Sequence, residues 1–137
     1  MRIMGLDVGE KRIGIAVSDP MGWTAQSHSV LYRKHNAGDF KYLIQLCKEL
    51  EVEKIIVGYP RNMNGTIGPK ALEIEEFAKE LGKHTILAIE FWDERLTTRS
   101  AERVLLEADI SRHKRKHIID KLAAAYILQG YLDSILK

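Results

Sequence analysis

Ile3-Met4-Gly5-Leu6-Asp7-Val8 is apolar or small at positions of both parities, apart from its aspartate. That is the pattern of a strand covered on both faces, because a one-sided strand would alternate. Val8-Gly9-Glu10-Lys11 then turns the chain into a second run, Ile13 to Val17, close enough to pair as an antiparallel hairpin. Asp19-Pro20-Met21-Gly22 is another turn signal, with Pro pre-setting φ at the second position, and Ala25 to Leu31 follows as a third strand.

After Gly38 the period changes. Phe40, Leu43, Ile44, Cys47 and Leu50 recur at helical spacing, with Asp39 placed to cap them. Ile55-Ile56-Val57-Gly58 is a buried strand, and Tyr59 to Pro69 a loop. Ala71, Ile74, Phe77, Ala78 and Leu81 form an amphipathic helix stopped by Gly82, and Thr85 to Phe91 is the fifth strand. Thr97 or Thr98 can cap a helix carrying Ala101, Val104, Leu105 and Ala108, and a last helix runs from about Arg115 to Leu136. The order βββαβαβαα describes one α/β domain over residues 1–137. Its first three strands form a meander and the next two return as right-handed parallel crossovers. The expected fold is a five-stranded mixed sheet, with the first strand central and helices on both faces.

The chain has 137 residues, 45% of them hydrophobic and 29% charged, the balance of an ordinary globular domain. Its single cysteine, Cys47, cannot form an internal disulfide and lies on an apolar helix face, which fits an inert thiol in a reduced, cytoplasmic setting. The longest stretch free of Asp, Glu, Lys and Arg, Pro20 to Tyr32, is thirteen residues, short of the roughly 18 that a spanning helix needs. Asp7 stands where a signal peptide would be apolar, so neither export nor a membrane is expected.

Three acidic positions stand at element ends. Asp7 closes the first strand inside an apolar run, where an unpartnered carboxylate is costly, and Gly9 leaves room for a phosphate or sugar. Asp93-Glu94-Arg95 follows the fifth strand, at the sheet edge where open α/β folds bind ligands. Asp120 shares a helical face with Ala123, Ala124 and Ile127, a small apolar surface on which a carboxylate needs a cation or donors. Each has a plainer alternative: a turn aspartate, a loop acid paired with Arg95, and a surface pair with Lys116 or Lys121. Together they suit Mg²⁺ or Mn²⁺, hard ions that take few protein carboxylates and complete their shells with water and phosphate oxygens. Two such ions can activate water and stabilise a leaving oxygen, which is the chemistry of phosphodiester hydrolysis.

Arg112-His113-Lys114-Arg115-Lys116-His117 immediately precedes Asp120. Cations at a helix N-terminus oppose its dipole, so the run fits a grip on a phosphate backbone better than a solvated helix start. The Tyr59-Pro60-Arg61-Asn62-Met63-Asn64-Gly65 loop reads as a substrate-side segment. The histidines show no metal-ligand spacing. No dinucleotide or Walker-type glycine motif is present either.

Four motifs in order carry a resemblance that covers nearly the whole chain. They are Gly5-Leu6-Asp7-Val8-Gly9 with Arg12-Ile13-Gly14-Ile15-Ala16; Val57-Gly58-x-Pro60 with Asn62-Met63-x-Gly65; Asp93-Glu94-Arg95-Leu96-Thr97-Thr98; and Asp120-Lys121-Leu122-Ala123-Ala124. The sequence resembles the YqgF/RuvX family of RNase H-like nucleases, associated with Holliday junction resolution and with processing of pre-16S rRNA. The resemblance implies an RNase H-like fold, a catalytic and metal-holding set of Asp7, Glu94 and Asp120, and Mg²⁺ or Mn²⁺, with two ions expected. Nucleic acid, either precursor rRNA or branched DNA, is the implied partner. The residues expected to hold it are Arg12, Arg61, Asn62, Arg95, Arg112, Lys114, Arg115 and Lys116. Tyr59 and Arg61 replace the small or apolar residues more usual beside Pro60. Monomer and homodimer both remain open.

Two readings of other classes compete. Asp7-x-Gly9 before a hairpin also resembles the phosphate loop of actin-like ATPases and sugar kinases, but those enzymes close two such domains over a nucleotide. A non-catalytic RNA-binding protein of the same fold would be expected to lack at least one of the three carboxylates.

Overall fold

The structure, a computed structural model, describes residues 1–60, 68–93 and 112–135, with the side chains of 112–121 outside that description. The elements are β1 (Arg2–Val8), β2 (Arg12–Ser18), β3 (Ala25–Tyr32), α1 (Ala37–Glu49), β4 (Val52–Tyr59), α2 (Pro69–Gly82), β5 (Ala88–Asp93) and α3 (Arg112–Ile135). The strands form a sheet of order β3-β2-β1-β4-β5, in which β1 is central as its two-sided apolar pattern requires. β2 pairs antiparallel with β1 and β3, while β4 and β5 run parallel to β1. The helix expected over 101–108 and most of the loop expected from Tyr59 to Pro69 lie outside the described residues.

Strand parity divides the core. Met4, Leu6 and Val8 face one way, with Ile13, Ile15, Ile55 and Val57, and pack under Leu43 and Cys47 of α1 and Ile74, Phe77 and Leu81 of α2. Ile3, Ala16 and Ile56 face the other way, under Ala124, Ile127, Leu128, Tyr131 and Leu132 of α3. A run apolar on both parities is thus satisfied by helices on both sides.

Three boundaries differ from expectation. Asp39 is not the cap of α1; Asn36 is, its side chain accepting from the Gly38 N–H at 2.8 Å. Asp39 is 3% exposed and instead accepts the N–H groups of Lys34 and His35, both at 3.0 Å, closing the β3–α1 turn. β5 starts at Ala88, where its pairing with Lys54 of β4 begins. The last helix, expected from about Arg115, begins three residues earlier at Arg112, so the whole basic run lies on it.

Candidate active site

β1, β4 and β5 are parallel, so their C-terminal ends share one edge of the sheet, where the β1–β2 turn also lies. Asp7 is half-buried at this edge on the α3 face. Its partner across the antiparallel ladder is Gly14. On the other side the Leu6–Val57 pairing brings Gly58 level with it. The carboxylate-bearing position therefore has a glycine on each neighbouring strand.

The turn that follows is fixed from two sides. Gly9 N–H donates to the Arg12 carbonyl at 2.8 Å, and Arg33 Nη1 donates to the Gly9 carbonyl at 2.8 Å, with its guanidinium 5.5 Å from the centre of the Phe77 ring. A Cβ at position 9 would stand 2.9 Å from the Arg12 carbonyl oxygen, so a side chain there would open the turn. Arg12 starts β2 two residues before Gly14, which puts it on the same face as Asp7.

α3 approaches this face closely. A Cβ at Gly5 would meet Leu128 Cβ at 2.7 Å and the Ala124 carbonyl oxygen at 3.1 Å. Gly5 precedes Asp7 by two residues, and position 120 precedes Ala124 by four on the stripe that carries Ala124 and Leu128. Stepping up β1 from Gly5 and back along α3 from Ala124 leads to the same edge. On β5, Trp92 packs against the α3 cluster, and Asp93 is the last residue described.

Among the nucleic-acid candidates, Arg12 is described at this edge. Arg112, Lys114, Arg115 and Lys116 lie on the first turns of α3, their side chains outside the description; Glu94, Arg61, Asn62 and Arg95 fall outside the described residues. Among the described residues no three His, Cys, Asp or Glu side chains form a metal-holding group. On the opposite face this edge opens into a cleft of about 670 Å³ lined in part by Gly9, Glu10, Arg33, His35, Lys70 and Glu73. Its arginine and lysine are matched by two glutamates, so it exerts no net pull on a polyanion. Cys47 faces the core, and burial pushes its thiol up to about 11, as the inert reading expects.

The flanking glycines, and the anchoring of the turn by Arg33, were not read from sequence. Gly14 could have been found by counting pairs back from the Gly9 turn. Gly58 depends on a parallel register that no local signal fixes.

A five-stranded mixed sheet of this order, with a long last helix packed on one face, is an RNase H-like fold. Two solved structures share the fold. A fowlpox virus resolvase bound to Holliday junction DNA superposes with a TM-score of 0.55 at 14% identity, over 100% of both chains. Thermus thermophilus RuvC bound to a Holliday junction superposes with a TM-score of 0.53 at 16% identity, over 99% of this chain and 96% of that one.

The chain belongs to the RuvX family, described as Holliday junction resolvase, which matches residues 1–134. A relative from Syntrophomonas wolfei, named "Putative pre-16S rRNA nuclease", is 65% identical over 97% of this chain and 94% of its own length. A Clostridium perfringens protein of the same name is 55% identical over 100% of both. Membership makes the chain a hydrolase of phosphodiester bonds in nucleic acid. No helix among the described residues is long and apolar enough to cross a membrane.

Proposed function

We propose that this protein is a divalent-metal-dependent endonuclease that processes precursor 16S rRNA, with Asp7, Glu94 and Asp120 holding the metal. The observation that carries the reading is Asp7 itself, a carboxylate at the end of the central strand with Gly14 and Gly58 on either side. Glycines on both neighbouring strands suit the approach of hydrated cations and a phosphate group. Glu94, the second ligand in this reading, follows in sequence directly after β5, whose Trp92 packs against α3. The helical stripe through Leu128 and Ala124 supports Asp120 as the third.

An all-oxygen set of this kind fits Mg²⁺ or Mn²⁺, which when bound supplies Lewis acidity and a water of lowered pKa. The chain's own groups do the rest. The carboxylates concentrate the cation, and the rigid Gly9 turn holds Asp7 in place. Arg12, on the same face, meets the phosphate backbone. Arg112, Lys114, Arg115 and Lys116 draw the backbone along the start of α3, while Arg61, Asn62 and Arg95, which follow β4 and β5 in sequence, contact it as well. The work belongs in the cytoplasm, where Cys47 stays reduced.

The full-length match to a nuclease family favours this reading over the actin-like ATPase and over a non-catalytic RNA-binding protein. Precursor rRNA is chosen as substrate from the name its relatives carry, and four-way DNA junctions from the family description are the second reading. The deciding experiment incubates the protein with precursor 16S rRNA, unstructured RNA and four-way DNA junctions, with Mg²⁺, with Mn²⁺ and with EDTA. Metal-dependent cleavage of the precursor, lost in Asp7→Asn, is the expected result. Cleavage confined to junctions transfers the assignment to a resolvase. Cleavage that survives EDTA or Asp7→Asn overturns the metal site.

A further inference from the structure

Two glycines govern how closely α3 lies on the sheet. At Gly5 an added Cβ would stand 2.7 Å from Leu128 Cβ and 3.1 Å from the Ala124 carbonyl oxygen. Neither atom can swing aside, since one roots a fully buried side chain and the other is backbone. To reach the 3.4 Å of ordinary contact, the helix must retreat by about 0.7 Å. At Gly130 an added Cβ would meet the Trp92 indole, at 2.9 Å from Nε1 and 3.3 Å from Cε2. That ring is seated by packing: Tyr131 meets it edge-on with centroids 6.1 Å apart, and its buried Nε1 has no hydrogen-bond partner among the described residues.

Both contacts stand a few residues from a candidate ligand in sequence, Trp92 being two before Glu94. Gly5 is two residues before Asp7, about 6.6 Å along β1. Ala124 is four residues after Asp120, about 6 Å along a helix. Whatever sets the height of α3 over β1 therefore sets the separation of Asp7 from position 120. We infer that Gly5 and Gly130 are positioning residues for the metal site, seating α3 so that Asp7 of β1 and Asp120 of α3 can share a cation. Mg²⁺ binds oxygen at about 2.0–2.1 Å in near-ideal octahedral geometry. A lift of several tenths of an ångström is therefore felt by the metal before it is felt by the fold. The inference rests on the nuclease reading.

The test compares the full chain with Gly5→Ala, Gly130→Ala and Leu81→Ala, the last a fully buried residue on the α2 side of the sheet. Each is measured by thermal melting, by calorimetric titration of Mn²⁺ without nucleic acid, and by cleavage against metal concentration. Gly5→Ala is expected to weaken Mn²⁺ binding about 10-fold or more, the loss typical when support behind a ligand is removed. Gly130→Ala should weaken it less, because the indole can yield a little. Both should raise the metal concentration for half-maximal cleavage and leave KM for nucleic acid unchanged. Leu81→Ala should lower the melting temperature at least as far and leave Mn²⁺ affinity alone. If Gly5→Ala does not fold, Gly130→Ala carries the comparison. Wild-type Mn²⁺ affinity in the glycine variants overturns the inference, and so does an equal loss in Leu81→Ala. A wild-type chain that binds Mn²⁺ no better than Asp7→Asn titrated beside it removes the nuclease reading beneath the inference, an outcome that does not depend on the glycine variants.

Discussion

Asp19 organises the turn between β2 and β3 through its carboxylate. Oδ1 accepts the N–H of Thr24 at 2.8 Å and of Trp23 at 2.7 Å, and Oδ2 accepts that of Met21 at 3.2 Å. The Thr24 N–H, with those of Trp23 and Met21, holds this carboxyl below its ordinary value. A folded pKa below the unfolded one means the stabilisation is complete above the unfolded value and lost as pH falls through the folded one. The melting temperature of wild type should therefore exceed that of Asp19→Ala by a constant margin above about pH 5, and the gap should close below about pH 4. A gap independent of pH down to acid unfolding would show that the charge is not what holds the turn. Here the sequence was readable, since Asp-Pro-x-Gly announces a turn through local chemistry. Asp39 was not, because its role depends on His35 adopting φ 57°, which no neighbour dictates. Cys47 was readable from its helix face. With a thiol near 11, it should resist a maleimide in native buffer and react once the chain is denatured.

The helices show what periodicity can and cannot locate. In α1 and α2 the apolar stripes named the buried faces correctly, because each stripe has one sheet surface to meet. Their ends obey a different chemistry. α1 is capped by Asn36, whereas α2 starts from Gly68 with Pro69 in its first turn and no side-chain cap. Asn36→Ala should cost about 1 kcal/mol, seen as a lower urea midpoint at unchanged slope. A change below a few tenths of that would mean water replaces the cap at no cost. β5 could not be bounded from composition, since Thr85, Ile86 and Leu87 suit a strand as well as Ala88 does. Its start is decided by where β4 offers a partner, and the Thr85 hydroxyl accepts the Leu87 N–H just before it.

At the scale of the molecule, the order of elements foretold a central β1 and helices on both faces, because hairpin and crossover rules leave few other sheets. The same rules put the ends of β1, β4 and β5 on one edge, which makes Asp7 a candidate rather than a core residue. What surrounds Asp7 was not legible, since Gly14 and Gly58 reach it only through register between distant strands. The start of α3 also belongs to that edge, because the helix runs from there, past Ala124 and Leu128 above Gly5, to Gln129 at the head of β3. Arg112, Lys114, Arg115 and Lys116 therefore enter the fold at the end where the substrate is proposed to lie. Cations there oppose the helix dipole, a cost that a bound polyanion offsets. Side chains that hold phosphates position a nucleic acid without reading its sequence, so charge reversal at Lys114 and Arg115 should weaken binding to RNA and DNA of any sequence alike. The slope of log affinity against log salt should become shallower by about 0.7–0.9 for each phosphate that is no longer neutralised. Mn²⁺ affinity measured without nucleic acid should change little, because neither residue is a proposed ligand. An unchanged affinity with an unchanged salt slope would make the run a solvated helix start, and would move the backbone grip to Arg12 and the loop that carries Arg61.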